Sequence, residues 1–319
     1  MELWCFLFFA GSYYDANLPS LSRQIRENAG YKFINPLLEC DVAEGTISAP
    51  KINFSKSVNS YTDTIKSSLE VTSIAYYYRD LNNGPTFGAD LDEGFIPASL
   101  LKLPVAMAYY RYSEKEPGIF DKKITYSHVF EEGSAGNAQL IPQKVNIELG
   151  KEYTVEELIY HVLTYSDNQA VSLLYDNLPP EYIRSLYERL GLSEDVLNGP
   201  GATLTVKEYS VFLRMLFNAS YLSRDNSEQL LGLLSTIDFK DALRAGVPPY
   251  VLVSHKFGEA GFLNGDKQLH DCGIVYYPKH PYLLCVMSKG KNLDNLKTAI
   301  KETSQKVFEE VNAQYKLIK

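Results

Sequence analysis

Apolar residues recur at helical spacing from about Ser55 to Leu69, where Val58, Tyr61, Ile65 and Leu69 share one face and predict a helix. The stretch VTSIAYYYRDL that follows is β-branched and aromatic. With the turn signal Asn82-Asn83-Gly84-Pro85 and a short apolar run after it, the pattern predicts a β-hairpin. Pro97-Ala98-Ser99 then opens a helix continued by LLKLPVAMAYYRY, which Pro104 is expected to kink early. Thr154 with Glu157, and Thr205 with Glu208, have the spacing of capping boxes, in which side chain and backbone satisfy each other's helix-end groups. Helices are predicted after both, and also over 169–177, 181–190 and 227–235.

Beyond about Pro249 the period changes from helical to strand-like: YVLVSHKFG, QLHDCGIVYY and YLLCVMSKG, joined by turns, before a last helical stretch from about Leu293 to Leu317. A helical block thus lies between two groups of strands. The pattern predicts an α+β fold, an antiparallel sheet flanked by terminal helices with an all-α subdomain beside it. The expected division is an extension over 1–54, an α/β part built from 55–98 and 249–319, and a helical part over 99–248. Residues 12–53 are mixed and punctuated by Pro and Asn, and read as extension rather than core.

The chain has 319 residues, enough for one large core or two interlocked ones, and its 45% hydrophobic and 22% charged content is that of a globular protein. A net charge of −8 provides no overall basic field to attract nucleic acid or anionic lipid. The 24 tyrosines against one tryptophan suggest no function by themselves. Four cysteines, Cys5, Cys40, Cys272 and Cys285, are too scattered for a disulfide scaffold, and no CxxC pair suggests zinc. Cys272 and Cys285 flank the turn Pro278-Lys279-His280-Pro281 and can face each other; two buried thiols is the more ordinary reading, a bridge the other. The N-terminal run MELWCFLFFAGSYY is too short to span a bilayer and lacks a positive leading region. It reads either as the remnant of a signal or anchor, or as an apolar arm.

Three short segments carry chemistry. In Ser99-Leu100-Leu101-Lys102 the hydroxyl and amine lie three residues apart, on one helix face, so the amine can serve as the base that a serine nucleophile needs. The apolar neighbours of Lys102 are expected to lower its pKa. Ser166-Asp167-Asn168, between two helical runs, presents three polar groups; as an ordinary feature it is a helix N-cap. His255-Lys256-Phe257-Gly258 ends a β-branched strand, where a lysine commonly blocks edge pairing and a glycine lets another backbone approach. No H-E-x-x-H, EF-hand, P-loop or strand-borne G-x-G-x-x-G suggests a metal or nucleotide cofactor, and none is expected. A Ser/His/Asp triad could draw on His128, His161, His255, His270 or His280, but none has a recognisable context. Gly133-Ser134-Ala135-Gly136-Asn137 reads as a flexible loop that could border a cleft.

Taken together, FIPASLLKLPV, YSDNQA and VSHKFGEAG, in this order around a helical block, resemble the S-x-x-K, S-D-N and K-T-G motifs of the serine β-lactamase and penicillin-binding-protein superfamily, in its class A form, over about residues 55–317. The resemblance implies an acylated nucleophile at Ser99, its proton acceptor at Lys102 and a proton relay at Ser166. It implies that Asn168 holds the substrate's acylamino carbonyl and that Lys256 attracts a substrate carboxylate. It also implies an oxyanion hole from the backbone N–H groups of Ser99 and Glu259, with Gly258 giving close approach.

Two departures qualify what the resemblance implies. Phe257 stands where the family usually has a hydroxyl residue, and no arginine lies between Glu259 and Tyr277 to add a second carboxylate anchor; His270 on the next strand is the candidate substitute. Glu194 and Asp195, in Glu194-Asp195-Val196-Leu197-Asn198, are the nearest carboxylates after the second motif to activate a deacylating water, but the stretch that carries them reads as too short for the loop that places such a group. The expected function is therefore acyl transfer at Ser99 on a β-lactam or a D-Ala-D-Ala-like peptide, with slow deacylation. The alternatives are a D,D-peptidase of cell-wall maintenance and a non-catalytic wall-peptide or partner binder. The expected partners are a β-lactam or peptidoglycan stem peptide, without nucleic acid or metal. The expected state is a monomer, and the expected location the cell envelope outside the cytoplasm.

Overall fold

The computed structural model describes residues 22–26, 30–42, 54–82, 85–131, 139–192 and 202–316. Glu194, Asp195, the 133–137 loop and the apolar N-terminal run lie outside the described residues.

Near the start, β1 (Ser22–Arg26) and β2 (Leu37–Val42) pair antiparallel. Helix α1 (Ser55–Ser68) follows, with Val58, Thr62 and Ile65 buried, then the hairpin of β3 (Val71–Asp80) and β4 (Thr86–Ala89). A 3-10 turn, Ala98–Leu101, leads into α2 (Lys102–Ser113). Strands β5 (Lys123–Thr125) and β6 (Glu152–Thr154) form a second small antiparallel pair inside the stretch expected to be purely helical. Then come α3 (Val155–Tyr160), a π-helical turn over His161–Tyr165, α4 (Asn168–Asn177), α5 (Pro180–Leu190), α6 (Val206–Phe217) and α7 (Arg224–Leu234). The chain returns to strands in β7 (Val253–Gly261), β8 (Lys267–Val275) and β9 (Tyr282–Gly290), and closes with α8 (Leu293–Tyr315).

Five strands make one antiparallel sheet in the order β4-β3-β9-β8-β7, so strands from both ends of the chain meet where β3 pairs with β9. Helices α1 and α8 lie together against this sheet, while α6 and α7 from the middle of the chain also pack on it. Burial on both faces explains why the central strands read as nearly continuous apolar runs rather than as an alternation. The tyrosines belong to this core: Tyr76, Tyr78, Tyr109, Tyr209, Tyr277 and Tyr282 are among the largest fully buried side chains. Their hydroxyls find partners where the packing allows, as when Tyr109 donates to the Leu174 carbonyl at 2.8 Å and Tyr277 to Asn312 Oδ1 at 2.7 Å.

Both capping boxes form, Thr154 with Glu157 and Thr205 with Glu208, each with reciprocal side-chain to backbone bonds. Three expectations are corrected. Pro104 does not kink a long helix, because α2 begins at Lys102 and the proline falls in its first turn, where an N–H has no acceptor within the helix and its absence costs no bond. The interruption is the 3-10 to α junction before it. Second, Cys272 and Cys285 stand directly opposite in the β8–β9 register and are joined as a buried disulfide. Third, the segment read as extension contributes to the packed structure. Ile34 is 1% exposed, Phe33 meets the Tyr276 ring edge-on, and the N–H groups of Lys32, Phe33 and Ile34 all donate to the Glu228 carboxylate on α7. Among the described residues no helix is long and apolar enough to cross a membrane.

Candidate active site

Ser99 lies in the 3-10 turn that precedes α2, half-buried at the wall of a cleft of about 700 Å³. The residue before it, Ala98, has φ +47°, a left-handed conformation that costs a non-glycine residue about 1–3 kcal/mol and here presents the serine to the cleft. One turn on, Lys102 is only 4% exposed, and its Nζ reaches Ser99 Oγ at 3.0 Å.

The second segment comes to the same amine. The π-helical turn ends at Ser166, which also has a positive φ of +58°. Lys102 Nζ lies 3.1 Å from Ser166 Oγ and 2.6 Å from Asn168 Oδ1, and donates to the Ser166 carbonyl. The middle residue, Asp167, has the structural role of an N-cap: its carboxylate accepts the Ala170 N–H at 3.1 Å and the Ile147 N–H at 2.8 Å, and it does not enter the cleft.

The third segment approaches through β7. A Cβ on Gly258 would lie 2.8 Å from the Pro97 carbonyl oxygen and 2.9 Å from the Leu100 nitrogen. Only glycine lets β7 rest against the turn that carries Ser99, so that the next residue, Glu259, continues along the same edge of the cleft. Lys256 is 0% exposed; its Nζ donates to Ser166 Oγ at 3.2 Å and to the Phe257 carbonyl at 2.8 Å. Burial holds this ammonium well below the ordinary lysine range, the charge of Lys102 pushes the same way, and Asp271 and Glu259 oppose it. The result is an unbroken chain of hydrogen-bond contacts, Ser99–Lys102–Ser166–Lys256.

His270 does not join it. It lies on β8 opposite Gly258, fully buried, with Nε2 on the Ile96 carbonyl at 3.0 Å and its ring edge-on to Phe95. Since a carbonyl only accepts, Nε2 carries the proton. Burial pushes the imidazole down to about 3, so it is neutral and supplies no anchor for a carboxylate. His255 is likewise committed elsewhere, its Nδ1 2.8 Å from Asp271 Oδ1 in a buried pair.

Several cleft residues have no sequence signal. The Glu259 side chain, not only its backbone, is engaged: its carboxylate accepts the N–H groups of Leu140 at 2.9 Å and Ile141 at 3.3 Å. Burial raises this carboxyl, while the two N–H groups and the charges of Lys102 and Lys256 draw it back. Gln143 donates to the Ser166 carbonyl at 2.7 Å, and Asn168 Nδ2 to Gln139 Oε1 at 3.3 Å. The 139–143 segment is thereby pinned to both the second motif and β7, across the mouth of the cleft. Phe239 meets Phe257 with ring centroids 4.2 Å apart. Among the described residues, no cluster of three or more His, Cys, Asp or Glu side chains could hold a metal.

An antiparallel sheet between helices, with this serine–lysine constellation at its edge, defines a protein of the serine β-lactamase and penicillin-binding-protein class. The chain belongs to the beta-lactamase enzyme family, whose model matches residues 58–311. Solved structures share the fold at low identity. A mutant of PBP-A, captured as its acyl-enzyme with penicillin G, is 19% identical over 82% of this chain and 97% of its own, with a TM-score of 0.67. A class A β-lactamase from Mycobacterium abscessus is 22% identical over 80% of this chain and 99% of its own, at 0.66. A β-lactamase from Chitinophaga pinensis is 18% identical over 80% and 100%, at 0.67. No curated protein matches the chain by sequence.

Proposed function

We propose that the protein transfers acyl groups to Ser99 from β-lactams or D-Ala-D-Ala-like peptides. The observation that carries this reading is the position of Lys102 Nζ, 3.0 Å from Ser99 Oγ and 3.1 Å from Ser166 Oγ. As a neutral amine, Lys102 takes the proton of Ser99 while the Ser99 oxygen attacks the carbonyl. The N–H groups of Ser99 and Glu259 stabilise the oxyanion, each donor of this kind contributing about 100- to 1,000-fold. The proton then passes through Ser166 Oγ to the leaving nitrogen, and Lys256 beside that oxygen favours the charge distribution of the transfer. Asn168 orients the acyl side of the substrate.

We propose slow release of the acyl-enzyme, which is penicillin-binding-protein behaviour, because the stretch carrying Glu194 and Asp195 reads as short for a loop that would place a deacylating carboxylate; a D,D-peptidase of wall maintenance is the second reading, supported by the same acylating groups. An extracytoplasmic location in the cell envelope accords with the buried Cys272–Cys285 disulfide, since such bonds persist in oxidising compartments. Intact mass during incubation with a penicillin, beside Ser99→Ala, tests the reading. A lasting Ser99-dependent adduct supports slow deacylation. A transient adduct with consumption of the drug replaces it with efficient β-lactamase action. No adduct with any acyl donor leaves a non-catalytic binder.

A further inference from the structure

Among the described residues, the wall of the cleft beside the third motif offers a carboxylate no cation in the open. Lys256, the cation of the third motif, is 0% exposed, its donors directed to Ser166 Oγ and the Phe257 carbonyl and its ammonium 4.1 Å from the centroid of the Phe257 ring. Phe257 covers it on the cleft side and, with its ring tilted 31° against that of Phe239, forms an aromatic wall there. No arginine is among the described residues that line the cleft, and these carry five carboxylates, Glu131, Asp176, Asp238, Asp241 and Glu259, against three lysines. Of those lysines, Lys102 belongs to the hydrogen-bond chain and Lys144 pairs with Asp238 at 2.6 Å. Lys240 is exposed at the rim between Asp238 and Asp241.

An anion entering beside Phe257 would lose its hydration against the electron-rich ring faces and gain no ion pair. An apolar group there gains burial instead. We propose that the Phe239–Phe257 wall makes the site favour, among β-lactam and D-Ala-D-Ala-like acyl donors, those whose carboxylate beside the scissile bond is masked as a neutral, apolar ester or amide over the free acids. This rests on acyl transfer at Ser99. In that step the Ser99 oxygen–carbonyl bond forms and the carbonyl–nitrogen or carbonyl–oxygen bond breaks. The serine proton reaches the leaving atom through Lys102 and Ser166, so no further reactant is required.

Benzylpenicillin and its methyl ester differ only in the charge at issue. Their acylation rates, followed by intact mass and each divided by the rate of hydroxide attack on the same compound, give a selectivity free of intrinsic reactivity. The normalised rate of the ester is expected to exceed that of the acid by at least about tenfold. Phe257→Thr, which restores a hydroxyl and uncovers Lys256, is expected to reduce that ratio about tenfold, and Phe257→Leu to retain it. A wild-type preference for the acid overturns the proposal, whether or not the variants fold. So does a ratio that Phe257→Thr leaves unchanged. If neither compound labels Ser99 in any of the three proteins, the selectivity is overturned, while acyl transfer itself falls only if D-Ala-D-Ala-like donors also leave Ser99 unlabelled.

Discussion

Lys102 has three N–H groups as an ammonium and lies within reach of four acceptors: Ser99 Oγ, Ser166 Oγ, the Ser166 carbonyl and Asn168 Oδ1. As a neutral amine it has two donors, enough for the carbonyl and the amide oxygen, and a lone pair that can accept from Ser99. Lys102→Met, similar in volume, is expected to lower the acylation rate about 100- to 10,000-fold while the fold is retained, measured by intact mass beside a far-ultraviolet spectrum. His270 gives a second test at this scale. Its folded pKa of about 3 lies below the ordinary 6.5, so the unfolded chain binds the extra proton between those values. Its contribution to stability is complete above pH 6.5 and is lost as pH falls toward 3, with a slope of at most about 1.4 kcal/mol per pH unit. In urea titrations His270→Gln is expected to be less sensitive to acid over that window than the wild type. The Ser99–Lys102 pair was legible because spacing on a helix fixes which side chains meet. For His270 a strand gives only alternation, and nothing in the sequence states which neighbour covers each face.

At the scale of elements, the site depends on how closely β7 lies against the turn that carries Ser99. Gly258→Ala sets a Cβ against backbone atoms of Pro97 and Leu100, which cannot rotate away, so the strand or the turn must shift. The cost to stability is expected at about 1–3 kcal/mol. The acylation rate is expected to fall at least about tenfold, because the Glu259 N–H moves with the strand. A loss of stability with acylation unchanged would show that the oxyanion donors lie elsewhere. The neighbouring strands carry the disulfide, which closes a loop with a sequence separation of 13 between β8 and β9. Replacing both cysteines by alanine is expected to cost about 2–4 kcal/mol in urea unfolding. The three strands were legible from their composition, and so was the turn between Cys272 and Cys285. Whether the cysteines face each other depends on the register across that turn, and a slip by one residue sends the two side chains to opposite faces. The pinning of 139–143 by Glu259 was not legible either, since it joins residues about 120 positions apart whose types are ordinary on any surface.

For the molecule as a whole, the two ends of the chain are built into one structure. Strands β3 and β9 pair across most of the sequence, and α1 and α8 pack together beside them, with Val58 and Ile65 from one and Leu296, Ile300, Val307 and Val311 from the other buried. This arrangement was legible because the strand and helix patterns at the two ends complement each other. The contribution of residues 22–42 was not, because its attachment is mostly through backbone groups, which leave no mark on composition. Glu228 accepts three N–H groups from residues 32–34, at 2.7, 2.8 and 3.0 Å. Asn35 donates its N–H to the Phe217 carbonyl at 2.9 Å, and Arg26 bonds Asn218 Oδ1 at 2.8 Å. A carboxylate holding three backbone donors is a concentrated attachment, and its removal leaves those donors to water. Glu228→Ala is therefore expected to destabilise the docked hairpin by about 2 kcal/mol. Limited proteolysis is expected to cut within residues 22–42 sooner in the variant than in the wild type. The remainder of the chain should stay resistant, and labelling at Ser99 should proceed at the wild-type rate, because Glu228 lies outside the cleft. If the variant instead unfolds as a unit in urea with its midpoint lowered and no early cleavage, the hairpin and the sheet are one cooperative body. The loss of Glu228 would then be felt by all of it.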